Sequence, residues 1–471
     1  MTRFRVRSDL LGATAALALA ATAATQSCNG FAGFTSVVQS AIQNLSLTGM
    51  IARVDQHGQN VLLQTYSGWP VTAPTPLASA SKPLAVAVAL SLVDQNLLQL
   101  DAPIGTWLPE WATGPHAAVT LRMCLAHTSG IVAFHPATTN PNITMRQAAM
   151  QIAQVPLDFT PGTAFQYGNV SIQVAGAACE VVSGLPWHQL FQQQIAGPLG
   201  MTATNFYVNG INQNPGIAEA AQSSAQDYAL FLEMLRRRGL AGTTRVLSEA
   251  AVDEMLTDQV GSLPVLWTPH PLAKPYGLGL ILERKDALGR TTLASAPGAY
   301  AFFGWLDLEH DSIGVWLSIT YFILAYPYVL DAWDELDVAL APIGVTCVGT
   351  GSPACATAPQ LFADGWPRDG QPDFQLRVAA APASAFGALS FEFGGPSPGF
   401  AIADLVSYIA APVSLIPLPT DAQGDGALPL PIPSGMQGLP FTMQGAWVDL
   451  GGCGQLGVVG SHALHVTVLA P

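Results

Sequence analysis

Lysine is almost missing from this chain. Only Lys82, Lys274 and Lys285 occur among 471 residues, and 17 Lys and Arg face 31 Asp and Glu, for a net charge of −14. Nucleic-acid binding draws its affinity from clustered Lys and Arg that neutralise phosphates. The basic residues here are scattered, and the one run, Arg236-Arg237-Arg238, closes a helix-like segment as its solvated end. Nucleic acid is therefore excluded as a partner. Charge of either sign is also scarce, at 10% of residues, whereas 50% are hydrophobic. That balance excludes a disordered chain and allows a large core. Long apolar runs are lacking too. The most apolar stretch, from Leu84, is interrupted by Asp94, Gln95 and Asn96, so no segment of the body of the chain reads as a membrane span.

The first residues read as an address, separate from the fold. Arg3, Arg5 and Arg7 precede an apolar Leu10–Ala20, and Ala21-Thr22-Ala23 follows as a cleavage site. This is the pattern of a secretory signal peptide over residues 1–23, and the expected location is exported, secreted or periplasmic. Thr25-Gln26-Ser27 is a poor lead-in for lipid attachment at Cys28. Export permits disulfides. Cys347 and Cys355 bracket a Gly- and Pro-containing loop and form the expected pair, Cys124 and Cys179 sit in apolar stretches as expected buried thiols, and Cys28 and Cys453 stay unassigned.

A length of 471 residues favours two domains. Residues 31–343 carry strand patterns near both ends (Gly49–Asp55 and Val61–Tyr66, then Leu278–Glu283, Thr291–Ser295, Tyr300–Leu308 and Ile313–Tyr321), with helical segments between them and a closing helix from Asp331 to Leu340. One sheet assembled from distant parts follows, an α+β domain with an inserted helical region. Past Gly344 the composition shifts. Residues 344–471 hold no lysine, much Pro and Gly, and short strand-like runs separated by turn signals, the pattern of a small all-β sandwich. His462 and His465, three apart in a strand, point to opposite faces and make no metal site.

The chemistry gathers at Ser79-Ala80-Ser81-Lys82. Residues i and i+3 share a helix face, and the run Pro83–Leu90 is apolar all round, so its helix is buried. A buried ammonium is costly unless it is paired or its pKa falls. A lysine in that position can accept the proton of Ser79 as the hydroxyl attacks an acyl group. A second constellation, Tyr167-Gly168-Asn169 after the turn Pro161-Gly162-Thr163, offers a phenol to relay a proton and an amide to hold the lysine or a substrate group.

Ser79-x-x-Lys82, Tyr167-x-Asn169 and Leu125-Ala126-His127-Thr128-Ser129-Gly130 together resemble, in order and spacing, the serine β-lactamase-like family of class C β-lactamases, D-alanyl-D-alanine carboxypeptidases and related esterases. The stretches Leu97–Ile104, Pro161–Thr163 and Ser223–Leu235 are similar to it as well, and the resemblance spans about residues 34–340. It implies a β-lactamase/transpeptidase-like sheet flanked by helices, with Ser79 as acyl-forming nucleophile and Lys82 as its base partner. Tyr167 becomes the second acid/base group, Asn169 a positioning residue, and His127 a structural one. The backbone N–H groups of Ser79 and Ala299 would form the oxyanion hole. No metal or organic cofactor is implied.

The chain departs from the family at Ser295-Ala296-Pro297-Gly298-Ala299-Tyr300, where Ala296 stands at the usual lysine or histidine position. The loss of a cation suited to a substrate carboxylate tilts the expected substrate from β-lactams and D-alanyl peptides toward neutral esters or small amides. The partner is then a small-molecule or peptide acyl substrate, with the C-terminal module a candidate for surface or cell-wall contact. The competing expectation is a catalytically silent binding or scaffold protein on the same fold. Pocket shape is assigned to loops at 136–157 and 263–275.

Overall fold

The computed structural model describes residues 30–271, 275–352, 358–402, 405–449 and 457–471. The expected signal peptide, Cys28, Cys355 and Cys453 lie outside these. Cys124 and Cys179 are free and buried, and no helix among the described residues is long and apolar enough to cross a membrane.

Six antiparallel strands form the main sheet, in the order Gln59–Tyr66, Met50–Gln56, Ser312–Ser318, Phe302–Asp307, Thr291–Pro297, Ile281–Lys285. Met50–Gln56 pairs with Ser312–Ser318 over its full length, from Met50 opposite Ser318 to Gln56 opposite Ser312. The sheet is thus closed across more than half of the chain. Strand side chains alternate faces, and here both faces are covered. Phe302, Leu306, Ile313, Val315 and Leu317 join one core with the central helices. Their neighbours Phe303, Trp305 and Trp316 join a second core under the helices Ala32–Asn44 and Phe322–Ala339.

The inserted helical region hangs on the helix Lys82–Asp94, every residue of which is buried from Lys82 to Leu92. Pro83 lies in its first turn, where a missing N–H costs nothing. The helix ends at Asp94, where Asn96 takes a positive φ and turns the chain so that Leu98 enters the core from a loop. A difference from expectation concerns the last helix. It begins at Phe322 and contains Pro327, whereas the sequence pattern gave a strand to Tyr321 and a helix only from Asp331. Phe322-Ile323-Leu324-Ala325-Tyr326 is apolar throughout, and a short apolar run does not separate strand from buried helix.

The C-terminal residues form a five-stranded antiparallel sheet and a three-stranded one. Leu361, Leu376 and Val378 of the smaller sheet meet Leu389, Met443, Trp447, Leu464 and Val466 of the larger in a core of their own. This is a two-layer β sandwich beside the α+β domain, as the composition implied.

Candidate active site

Ser79 lies in a 3₁₀ turn, Ala78–Ser81, that runs directly into the central helix. Ala78, just before it, has φ +47°, a left-handed backbone that costs a non-glycine residue energy and that surrounding contacts must hold. Those contacts are visible. The Ser81 hydroxyl donates to the Ala78 carbonyl (2.6 Å) and accepts from the Ala221 N–H (3.0 Å), and the buried Tyr228 hydroxyl donates to the Ala80 carbonyl (2.9 Å). The turn is pinned from three sides while the Ser79 side chain itself stays half-buried at a pocket floor.

Lys82 is buried, and its ammonium is paired. Nζ donates to Ser79 Oγ (3.2 Å), Asn169 Oδ1 (2.9 Å) and the Ala218 carbonyl (3.2 Å). Asn169 Nδ2 in turn donates to Glu219 Oε2 (2.5 Å), so an amide stands between the ammonium and the nearest carboxylate of this chain of bonds. Sequence reasoning missed Glu219; no motif marked it, since it reaches the lysine only through the fold. Nζ also sits 4.5 Å from the centroid of the Tyr167 ring, a cation–π distance. The structure therefore brings Ser79, Lys82, Tyr167 and Asn169 together, although 87 residues separate Lys82 from Asn169.

Tyr167 and Asn169 are set by the close approach of a backbone. The Asn169 N–H donates to the Ala133 carbonyl (3.0 Å), and a Cβ on Gly168 would lie 2.5 Å from that oxygen. Only glycine fits between the two functional residues. His127 supports the same turn from beneath. It is buried with φ +59°, its carbonyl accepts from the Gln166 N–H (2.9 Å), and its ring nitrogens lie 3.3 Å from Tyr276 OH and from Ser171 Oγ. Burial and the Lys82 charge hold the His127 imidazole well below its ordinary pKa, hence neutral. Burial, with the neighbouring Tyr167 adding to it, raises the Tyr276 phenol well above its ordinary value. Tyr276 was not singled out in the sequence either, for it carries no motif.

The pocket above Ser79 has a volume of about 270 Å³. Tyr167 and Tyr276 form one side, Thr268, Pro269 and His270 another, and Pro297, Gly298 and Ala299 a third, closed by Tyr321, Phe322 and Ile323. Gly298 is required here, because a Cβ would stand 2.1 Å from the Leu77 carbonyl and push the strand end off the nucleophile turn. Ala299 lines the pocket with Ser79, and its carbonyl accepts from the Phe322 N–H (3.0 Å). Ala296 is buried in the core against the central helices, and the side chain of this strand that meets the pocket is Pro297. Of the loops expected to shape the pocket, 263–275 contributes Thr268–His270; 136–157 contributes none of the lining, and residues 321–323 do so instead.

One described cluster has metal-ligand chemistry. Asp307, His310 and Asp337 bring three ligand atoms within 4.8 Å of one another. His310 Nδ1 is taken by Asp307 Oδ2 (2.7 Å) and Asp337 Oδ2 by Arg284 (2.6 Å), so this is an ion-pair cluster, and none of it lines the pocket.

The Beta-lactamase family model matches residues 34–321. Protein Rv1367c of Mycobacterium tuberculosis is 28% identical over 306 residues, 51% of this chain and 76% of its own length. Esterase EstB of Burkholderia gladioli is 30% identical over 197 residues, 36% of this chain and 50% of its own. A crystal structure from Bacteroides dorei superposes with a TM-score of 0.57 at 29% identity, covering 62% of this chain and 91% of the other.

Proposed function

Since the chain belongs to the beta-lactamase family, we propose that it is a serine hydrolase working through an acyl-enzyme at Ser79, with esters preferred over amides and D-amino-acid peptides. The observation that carries this reading is the buried Lys82 Nζ, shared between Asn169 Oδ1 and the Oγ of Ser79, which lines an open pocket. A buried lysine held so close to one hydroxyl is placed to take its proton.

In the proposed reaction Lys82 acts as the neutral amine: Ser79 Oγ attacks the acyl carbon as its proton passes to the lone pair of Nζ, which becomes the ammonium. The carbonyl electron pair moves onto oxygen, which the Ser79 and Ala299 N–H groups receive, a role that needs only correctly aimed amides. Collapse of the tetrahedral adduct breaks the bond to the leaving oxygen, which departs as an alcohol with a proton delivered through Tyr167. Water then repeats the sequence on the acyl-enzyme and releases the acid. Asn169, tied to Glu219, keeps Nζ directed at the hydroxyl. The ester preference rests on Pro297 and Ala296, neither of which can pair with a substrate carboxylate, and on the similarity to esterase EstB. Export, and surface or cell-wall contact by the C-terminal module, belong to the same proposal.

The test is a pre-steady-state assay with p-nitrophenyl acetate on wild type and Ser79→Ala, with intact-mass detection of the adduct. A burst and a +42 Da species, about the mass of one acetyl group replacing hydrogen, are expected in wild type alone. Absence of the adduct across esters, amides and D-peptides would sink the reading and leave a binding protein on this fold.

A further inference from the structure

Large apolar side chains that face solvent are ordinarily scattered, and many here are, but four of them stand at or near one opening. Tyr321 is 72% exposed, Ile323 54%, Phe134 63% and Trp267 41%. Tyr321 and Ile323 line the pocket that contains Ser79. Phe134 meets Trp267 edge-on at 5.5 Å, and Trp267 lies 6.2 Å from the ring of Tyr167, so an aromatic path leads outward from the proposed acid/base group. Exposed apolar side chains that line a concave site, as Tyr321 and Ile323 do, mark ligand binding.

The wall is also built to stay in place. Phe322 stacks on Phe303 at 5.6 Å and on Tyr326 at 5.3 Å, and its N–H holds the Ala299 carbonyl. The first turn of the last helix is thereby fixed beside the oxyanion residue. Tyr321 and Ile323, on either side of this anchor, project their apolar surface toward the opening at the cost of exposing it. Among the described residues that line the pocket none is Lys or Arg, and polar side chains are confined to Ser79, Thr268, His270 and three tyrosines, Tyr167, Tyr276 and Tyr321, the last of which also offers its ring as apolar surface.

Resting on the acyl-enzyme reading, we propose that the acyl group of the substrate is an uncharged, medium-length apolar chain that lies along Tyr321, Phe322 and Ile323. At about 30 Å³ per water the cavity holds roughly nine waters, which a chain of roughly six to eight carbons would largely displace. The acyl side is assigned because the acyl group stays bonded to Ser79 through both chemical steps, so contacts made to it act on acylation and deacylation alike. Burying one methylene is worth about 0.8 kcal/mol, about a fourfold change.

The experiment compares kcat/KM for p-nitrophenyl acetate, butanoate, hexanoate and octanoate, each kept below its aggregation concentration, with hexyl and octyl acetates alongside. Wild type is expected to gain about two- to fourfold per methylene up to hexanoate or octanoate. In Tyr321→Ser/Ile323→Ser the octanoate-to-acetate ratio should fall at least tenfold. Both positions are exposed, so this variant leaves the core intact. Leu415→Ser, at an exposed apolar residue on an edge strand of the C-terminal sandwich, should keep the wild-type ratio. A flat chain-length profile, a ratio untouched by the double variant, or an equal gain with chains on the alcohol side would overturn the proposal while Ser79-dependent turnover of acetate still upheld the hydrolase reading. No acylation of Ser79 by any ester would remove both.

Discussion

At the residue scale the site turns on how one buried cation is shared. Lys82 has three oxygen partners, and the Asn169–Glu219 bond steers one of them. Replacing Glu219 by Gln keeps a hydrogen bond but removes its charge. A charge-assisted bond exceeds a neutral one by about 1 kcal/mol, so kcat/KM should fall about fivefold with KM little changed; an unchanged kcat would show that Asn169 needs no such tether. Gly298→Ala should do more harm. Its Cβ meets backbone at 2.1 Å, which cannot yield as a side-chain tip can, and the expected result is loss of at least tenfold in kcat with the fold retained by circular dichroism. Ser79, Lys82, Tyr167 and Asn169 were legible because their spacing survives in the sequence. Glu219, Tyr276 and the inward burial of Ala296 were not, since each is defined by what lies across the fold from it.

At the scale of elements, the central helix holds Lys82 in the core directly after the turn that carries Ser79, and its stability is a matter of packing. Leu84 is fully buried, so Leu84→Ala should cost about 2–5 kcal/mol, read as a drop in the urea midpoint. A smaller effect is expected at the helix Met145–Ile152, where Thr144 and Gln147 cap each other reciprocally (2.8 and 3.1 Å). Thr144→Ala should cost about 0.5–2 kcal/mol without altering chain-length preference. The hairpin Met50–Tyr66 was legible from its period and turn. The start of the last helix was not, because Phe322–Tyr326 is apolar at every position and carries no helical period. Contact with Phe303 and the Ala299 carbonyl decides in favour of helix, and the pocket wall exists as a result.

At the scale of the whole molecule, the two parts meet through polar contacts, one of them on the carboxyl of Glu309. Glu309 Oε1 accepts from the Gly365 N–H (2.6 Å), Arg290 donates to Gln371 (2.6 Å), and the Ala287 N–H donates to Asp373 (2.7 Å). Burial raises Glu309 to about 7, with Asp307, Asp337 and Asp364 adding to the shift against His310. Burial likewise raises Asp337 to about 6, against Arg284 and His310. For His310 burial pulls downward, but Asp307, Glu309 and Asp337 outweigh it and carry the imidazole up to about 10. Each of these groups holds its proton more tightly folded than unfolded. Its stabilising contribution is complete below the unfolded pKa and is lost as pH rises through the folded one. The windows run from about 4 to 7 for the carboxyls and about 6.5 to 10 for His310. These three groups pull the melting temperature down as pH rises, whereas His127, His188 and His462, held by burial below their ordinary values, pull it up until about pH 6.5. The melting temperature of the full chain should therefore fall between pH 7 and 9, where His310 acts, and Glu309→Gln should remove a downward contribution below pH 7; a Tm that rises between pH 7 and 9 would contradict the assignment. The sequence by itself determined the elements whose signals are local: the nucleophile–lysine spacing, the tyrosine–asparagine turn, the β-rich tail and the excess of acid over base. Tertiary structure decided which carboxylate tethers the lysine, which face Ala296 takes and what lines the pocket, because those properties depend on residues brought together by a sheet in which Met50–Gln56 pairs with Ser312–Ser318, more than 250 positions away.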